Sequence, residues 1–293
     1  MAEVTDIIGI KVMRDPQART ITLSSPGHTA ALLEAFSMEM ATPNKTPMAS
    51  GVKLAKTGKD LLPEGNRYAA LVGSLLYVST MRRTDISIAV GVLSRFMSCT
   101  EQALMRAAKS VLSYLCGTTR LGVAYGSCEP LQGYVDADWA GDVDGRPSTT
   151  GFIFTVNGGP VAQASKRQST VATSTAEAEY EAAAMATKEA LWLRKLLGLL
   201  GVDGQAVPMG EANQSCLAPI NNPGATGRTK HVDVAYHMVR DYRTRGGVAF
   251  YFFPSAEMPN DGLTNPLPSP AFTAIRDELR EISEVHGRDS EGL

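Results

Sequence analysis

Cysteine is scarce in this 293-residue chain: Cys99, Cys116, Cys128 and Cys216 are the whole complement, and no two stand at Cys-x-x-Cys spacing. The four histidines are scattered. A disulfide scaffold and a structural zinc site are therefore poor explanations of the fold. No apolar run approaches the ~18 residues that a membrane span needs. The opening MAEVTDIIGIKVMRD carries Glu3 and Asp6 in place of a basic segment, which argues against a secretory leader. The expected setting is intracellular and reducing, with no membrane partner. Gly-rich phosphate loops and nucleophile–His–Asp arrangements are also missing.

What is present is ordinary globular material, 44% hydrophobic and 20% charged, in a length that suits two domains. The net charge of −2 is unevenly spread. Residues 1–127 hold 14 Lys and Arg against 9 Asp and Glu, +5; residues 128–293 hold 14 against 21, −7. A basic half joined to an acidic half suggests two modules, the first tolerant of a polyanion, although such imbalances also arise without meaning.

The pattern of periods supports the division. IIGIKVMRD reads as a strand turned by Asp15-Pro16 into a second, ITLSS. HTAALLEAFSME has helical spacing, with Ser24 or Ser25 as cap, and residues 41–66 read as an exposed loop. Two apolar-periodic stretches follow, ending near Gly117, so the first module is expected to be mostly helical with a small sheet at its start. The period then shortens. LGVAYG and LQGYVDADWA read as strands, and GFIFTVNGG with VAQAS as a hairpin closed at Asn157-Gly158-Gly159. Residues 175–200 form a long helix, then AVPMGEA a strand and NQSCLAPINN a short helix that Pro219 should break or shift. KHVDVAYHMVRDYRTRG is a helix, VAFYFFP a strand and AFTAIRDELREI a last helix. The second module is thus α/β with a mixed sheet.

Its carboxylates carry the chemistry. Asp136 sits inside an apolar strand, where an unpaired charge is costly to bury, and Asp138 shares its face. Glu177, Glu179 and Glu181 open the long helix, and Asp261 precedes the last one. Carboxylates from a strand, a helix and a later turn could converge on oxygen-seeking Mg²⁺, and two such ions perform in-line phosphodiester hydrolysis. Taken singly, a glutamate in a first helical turn serves equally to oppose the macrodipole, and Asp261 in Asn-Asp-Gly serves equally as a turn residue. Only Asp136 stands out unaided. His231 and His237 are six residues apart, too far for an i, i+4 metal pair. The basic Ser165–Gln168 stretch suits either phosphate contact or a solvated turn.

Gly133–Asp142 (GYVDADWAGD), Arg146–Gly151 (RPSTTG), Ser165–Gln168, Ser174–Tyr180, Glu189–Arg194 and Arg228–Asp233 together resemble the ribonuclease H domain of copia-type LTR retrotransposon Pol polyproteins. Tyr68–Tyr77 and Val92–Met97 resemble the stretch that joins polymerase to ribonuclease H in the same polyproteins. The resemblance implies an α/β, ribonuclease H-like mixed sheet with flanking helices over 128–293. Before it, over 1–127, it implies the end of the reverse-transcriptase palm and a mostly helical thumb and connection segment. It implies cleavage of RNA in RNA–DNA hybrids with two Mg²⁺, and places Asp136, Glu179 and Asp261 as the catalytic, metal-holding carboxylates. RNA–DNA hybrid or another nucleic acid is the implied partner, with the rest of a reverse transcriptase as a second.

One position departs from the pattern in a way that bears on activity. The family's remaining carboxylate is the Asp of Asp-Asn-Gln-Ser, and here the motif reads Ala212-Asn213-Gln214-Ser215. Glu211 precedes it but should point to the opposite face of its strand. Loss of one carboxylate from a two-metal site is expected to lower hydrolysis by orders of magnitude. An alternative is a non-catalytic hybrid-binding or interaction protein. Gln163 replaces the usual Trp, Asn265 a Lys and Thr84 a Pro, and Pro219 costs ~3 kcal/mol if it lies in a helix interior. No Asp-Asp pair of the polymerase type occurs in the chain, so DNA synthesis by this chain alone is not expected.

Overall fold

The computed structural model describes residues 4–61, 65–98, 101–202, 204–222, 230–279 and 281–283. Arg228 and Thr229 of the Arg-Thr-Lys-His-Val-Asp motif lie outside them. Strands β1 (Asp6–Ile7), β2 (Ile10–Asp15) and β3 (Thr20–Ser24) form an antiparallel meander. The single strand expected over IIGIKVMRD is split because Ile8 and Gly9 take positive φ values of 54° and 73° and reverse the chain. Helix α1 (Pro26–Ala35) begins with Pro26, whose missing N–H is no loss there. Helices α2 (Gly65–Arg82), α3 (Ser87–Ser94) and α4 (Gln102–Gly117) then bury Leu71, Leu75, Leu93, Val111 and Leu112 against one another.

A short 3-10 turn, Thr84–Ile86, joins α2 to α3 around a buried ion pair. Arg83 forks Asp85, with Nη2 to Oδ2 at 2.8 Å and Nε to Oδ1 at 3.0 Å. The same guanidinium donates to the Thr118 carbonyl at 2.9 Å, and the Tyr114 hydroxyl donates to Asp85 at 2.6 Å. Every strong donor and acceptor is matched, the condition for tolerating buried charge.

Strand β4 (Leu121–Tyr125) returns to pair with β3. Next come β5 (Gln132–Asp138), β6 (Thr149–Val156) and β7 (Gly159–Arg167), all antiparallel. Asn157 and Gly158 both have positive φ, 53° and 80°, as a two-residue hairpin turn of right-handed twist requires. Helix α5 (Thr175–Leu199) presents Ala178, Ala182, Ala186 and Ala190 to the sheet, and these small side chains let it lie close over Val135, Phe152 and Phe154. Strand β8 (Val207–Glu211) pairs parallel with β5, α6 (Gln214–Asn221) and α7 (Lys230–Thr244) follow, and β9 (Val248–Phe252) pairs parallel with β8. Helix α8 (Ser269–Glu278) and strand β10 (Glu281–Ser283) complete the chain.

The result is two five-stranded sheets, ordered β1-β2-β3-β4-β10 and β7-β6-β5-β8-β9. The second is the mixed α/β sheet expected for the acidic half. LGVAYG, which precedes residue 128, joins the first sheet, where β3 is a ladder partner. Two expectations change. The last helix stops at Glu278, and Glu281–Ser283 pairs with the free edge of β4, so the first sheet is larger than a small opening sheet. Pro219 neither breaks nor shifts α6: the helix continues two residues beyond it, because only the last turn lacks its N–H.

Candidate functional site

Asp136 stands near the end of β5, on the sheet face opposite α5, in register with Gly151 of β6. That face is covered by Met258 and Leu263, packed on Tyr134 and Ile153. The chain there makes a short turn, Asp261–Leu263, which rests on β6. A Cβ on Gly151 would fall 2.6 Å from Thr264 Cγ2 and 3.2 Å from Leu263 Cβ, so glycine is what allows the approach. Asn260 fastens the turn by donating from Nδ2 to the Gly151 carbonyl at 3.1 Å. The Thr264 hydroxyl donates to Asp136 Oδ2. Asp261 arrives with this turn, close enough that the charge of Asp136 acts on it.

From the other face comes α5. Its N-cap Ser174 accepts from the Glu177 N–H at 3.3 Å, and the Glu177 carboxylate accepts from the Thr173 N–H at 2.7 Å. Glu177 is thus spent on the helix start, a variant of the capping box. Glu181 accepts from Thr170 Oγ1 at 3.0 Å in solvent. Glu179 alone of the three is buried, at 5% exposure, and accepts from the Ala137 N–H and the Asn213 side chain.

Glu211 points, as strand alternation predicts, to the face opposite position 212, and what lies above that face is the new finding. The alternation argument holds as far as it goes: Glu211 is the register partner of Val135 and leaves β8 on the α5 face. That is the face from which Glu179 descends, so pointing away from position 212 brings Glu211 into the carboxylate group rather than out of it. It is fully buried, and its Oε1 accepts from the Asn213 N–H at 2.8 Å. Oε2 of Glu179 and Oε2 of Glu211 are both buried without a hydrogen-bond partner. Ala212 lies on the opposite face, packed against the apolar cluster that holds Tyr134, Ile153, Met258, Leu263 and Leu279.

The electrostatics follow from this crowding. Burial raises the Glu179 pKa, and the nearby charges of Glu211 and Asp136 raise it further. Burial likewise raises Glu211, against the opposing pull of the Asn213 N–H. Asp136 is raised by burial and partly relieved by Thr264. Asp138 is raised by burial and by Asp136, and relieved by Arg95 and Lys53. Arg95 also bridges to Asp142 at 3.3 Å and donates to Thr149 at 3.1 Å, tying the end of α3 to the loop after β5.

Mg²⁺ can be tested against these residues. The donors are all oxygen, the right class, and two buried oxygens lack partners. The spacing does not fit. Among the described residues no three Asp, Glu, His or Cys side chains come close enough to hold one metal ion. Asp136, Glu179 and Asp261 feel one another's charge through Asp136 without forming a closed donor set.

Antiparallel β7-β6-β5 continued by parallel β8 and β9, with acidic groups where β5 meets α5, defines a ribonuclease H-like mixed α/β fold. No family model matches the sequence. The chain is 38% identical over 278 residues to a retrovirus-related Pol polyprotein from transposon TNT 1-94 of Nicotiana tabacum, covering 92% of this chain and 21% of that one. To the Pol polyprotein of transposon RE2 of Arabidopsis thaliana it is 35% identical over 268 residues, 90% of this chain and 18% of the other. Among solved structures it is similar to LC11-RNase H1 in complex with RNA/DNA hybrid, at 15% identity and a TM-score of 0.36, over 45% of this chain and 92% of that one. The chain belongs to the copia-type retrotransposon Pol polyprotein family. It spans about a fifth of the length of the curated relatives it matches. Among the described residues no helix is long and apolar enough to cross a membrane.

Proposed function

We propose that residues 128–293 are a ribonuclease H module that binds RNA–DNA hybrid and whose hydrolysis is impaired by Ala212, and that residues 1–127 are the end of the reverse-transcriptase palm with the thumb and connection region preceding it. The observation that carries this reading is the pair of faces at the end of β8. Position 212 faces the same side as Asp136, yet offers a methyl packed against the Tyr134–Leu263 cluster where the family pattern has a carboxylate, and among the described residues no metal-holding set forms without it. Asp136 is held in place by Thr264, Glu179 by Ala137 and Asn213, and Asp261 by the turn seated on Gly151. In this reading those three carboxylates are the family's catalytic set, and without a carboxylate at position 212 their spacing among the described residues does not hold the two Mg²⁺ of the family. The +5 charge of residues 1–127 favours contact with a nucleic-acid backbone. The second reading, a hybrid binder without catalysis, shares every feature except turnover.

Binding is tested apart from cleavage by fluorescence anisotropy of a labelled RNA–DNA hybrid, with duplex DNA as competitor and salt varied. The reading expects saturable hybrid binding that weakens as salt rises. Absence of hybrid binding at low salt by a chain that melts cooperatively would defeat both forms of it.

A further inference from the structure

Trp139 and Trp192 are the two tryptophans of the chain, and both are about half exposed. Their settings differ. Trp192 stands in the C-terminal half of α5, well past Glu179. Trp139 directly follows Asp138 at the end of β5 and is 48% exposed. Its indole Nε1 donates to the Ala172 carbonyl at 3.1 Å, which seats the ring between the end of β5 and the loop leading into α5. Val171, the residue before that carbonyl, is itself 55% exposed. A large apolar ring and a branched side chain thus lie bare beside the carboxylate site.

The loop that carries Trp139 is held in place. Ala140 takes a left-handed φ of 56°, a conformation that is costly with a Cβ and persists where its surroundings impose it. The Ala140 N–H donates to Ser148 Oγ at 3.2 Å, and Asp142 is bridged by Arg95 at 3.3 Å and by Arg167 at 3.4 Å. Gly141 lies so close to Asp138 that a Cβ there would meet its carboxylate. A basic group stands on the same side. Lys166 pairs with Thr150, and Thr150 with Ala137, so Lys166 lies on the α5 face, which Trp139 continues two residues beyond Ala137. Lys166 is exposed, two strand spacings, or roughly 10 Å, across the sheet from β5. The carboxylates of Glu177 and Glu181 on this side are engaged by Thr173 and Thr170.

We propose that Trp139 is a stacking platform for an unpaired nucleotide of a bound strand, with Val171 extending its apolar surface and Lys166 meeting the backbone phosphate further along. Every base has a flat face that stacks on an aromatic ring, so such a platform is indifferent to sequence. A base already stacked within a duplex is not free to move onto it, so the platform favours strand that extends beyond the paired region. Two apolar side chains fall far short of a protein interface, which takes about 20–30 residues a side, whereas one ring suffices for one base. The choice of a nucleic-acid partner rests on the ribonuclease H reading above; the seated, exposed indole and its basic neighbour rest on the geometry.

The test uses the full chain carrying Trp192→Phe, in which Trp139 is the one remaining tryptophan. In chelator-containing buffer, so that no strand is cut, it is titrated with a blunt RNA–DNA hybrid, the same hybrid with a short unpaired extension, and oligothymidylate. Anisotropy of a label at the far end of each nucleic acid reads binding, and Trp139 emission reads stacking. The extended hybrid and oligothymidylate should quench Trp139 saturably at the concentrations where they bind, and the blunt hybrid should quench it little. Trp139→Ala should weaken the extended hybrid about tenfold more than the blunt one, and Trp139→Leu, which keeps apolar bulk without the ring, should do the same. Trp139→Phe should recover part of the loss. Lys166→Ala should lower the salt slope for the extended hybrid by about one. Three results would overturn the proposal: bound extended hybrid with unchanged Trp139 emission, full affinity in Trp139→Leu, or equal losses for blunt and extended hybrids in a Trp139→Leu chain that melts cooperatively. Quenching by oligothymidylate without binding of the blunt hybrid defeats the function proposed above and leaves this one standing. Blunt-hybrid binding with no Trp139 response to the extended hybrid does the reverse.

Discussion

Replacing Glu211 by Gln perturbs the carboxylate group at its most buried member. Glu211 and Glu179 are both enclosed, and each has one oxygen with no partner. In the unfolded chain both titrate near the ordinary value of about 4.3. In the folded chain burial holds both above it, with the charges of Glu211 and Asp136 adding at Glu179 and that of Asp136 at Glu211. Between those values the folded state retains protons that the unfolded state has released. The contribution of the pair is therefore fully present below about pH 4.3 and is lost as pH rises toward the folded values. One retained proton is worth about 1.4 kcal/mol per pH unit. From about pH 5 to about pH 7 each of the two retained protons accounts for a loss of about 3 kcal/mol, or about 5–10 °C in Tm for a chain of this size. Glutamine keeps the shape, still accepts from the Asn213 N–H, and offers an amide N–H to the orphaned oxygen of Glu179. Thermal melts in chelator-containing buffer across this range should show the native Tm falling with pH and the Glu211→Gln Tm falling less, the curves diverging upward of about pH 5. Parallel curves would refute the reasoning, and so would a variant destabilised by more than about 2 kcal/mol at neutral pH.

Other consequences follow from single contacts. Gly151→Ala sets a methyl against Thr264 and Leu263 and should lift the turn from β6 at a cost of about 1–3 kcal/mol, read as a lower Tm. Thr264→Val removes the donor to Asp136 and should raise the Asp136 pKa further, which carboxyl carbon shifts in a pH titration would follow. Asp85→Asn strands the Arg83 charge inside the helical core and should cost about 3–5 kcal/mol, measured by denaturant unfolding.

Much of the site could be seen in the sequence because strand and helix periods are local. Asp136 announces itself as a charge in an apolar strand, and Ser174 with Glu177 marks the start of α5. Which glutamate of that first stretch faces inward is decided by tertiary contact, and the structure selects Glu179 because Ala137 and Asn213 meet it. Strand alternation gives Glu211 a face but not what lies above that face. Thr264 had no local signal, since its role depends on Gly151 lying 113 positions earlier in the chain. The pairing of Glu281–Ser283 with β4 was hidden for the same reason: a ladder partner more than a hundred residues away competes with helix propensity and leaves no mark in the local pattern. Arg95 was visible only as part of a motif, and its bridge to Asp142 comes from the packing of α3 on the second sheet.

The central claim is that Ala212 alone separates this site from a working one. Cleavage of a labelled RNA–DNA hybrid in Mg²⁺ and in Mn²⁺, by the native chain and by Ala212→Asp, tests it directly. The account predicts that the substituted chain cuts faster by about a hundredfold or more, and that Asp136→Asn added to it removes the gain. Equal cutting by the native and Ala212→Asp chains, or a gain that survives Asp136→Asn, would contradict it.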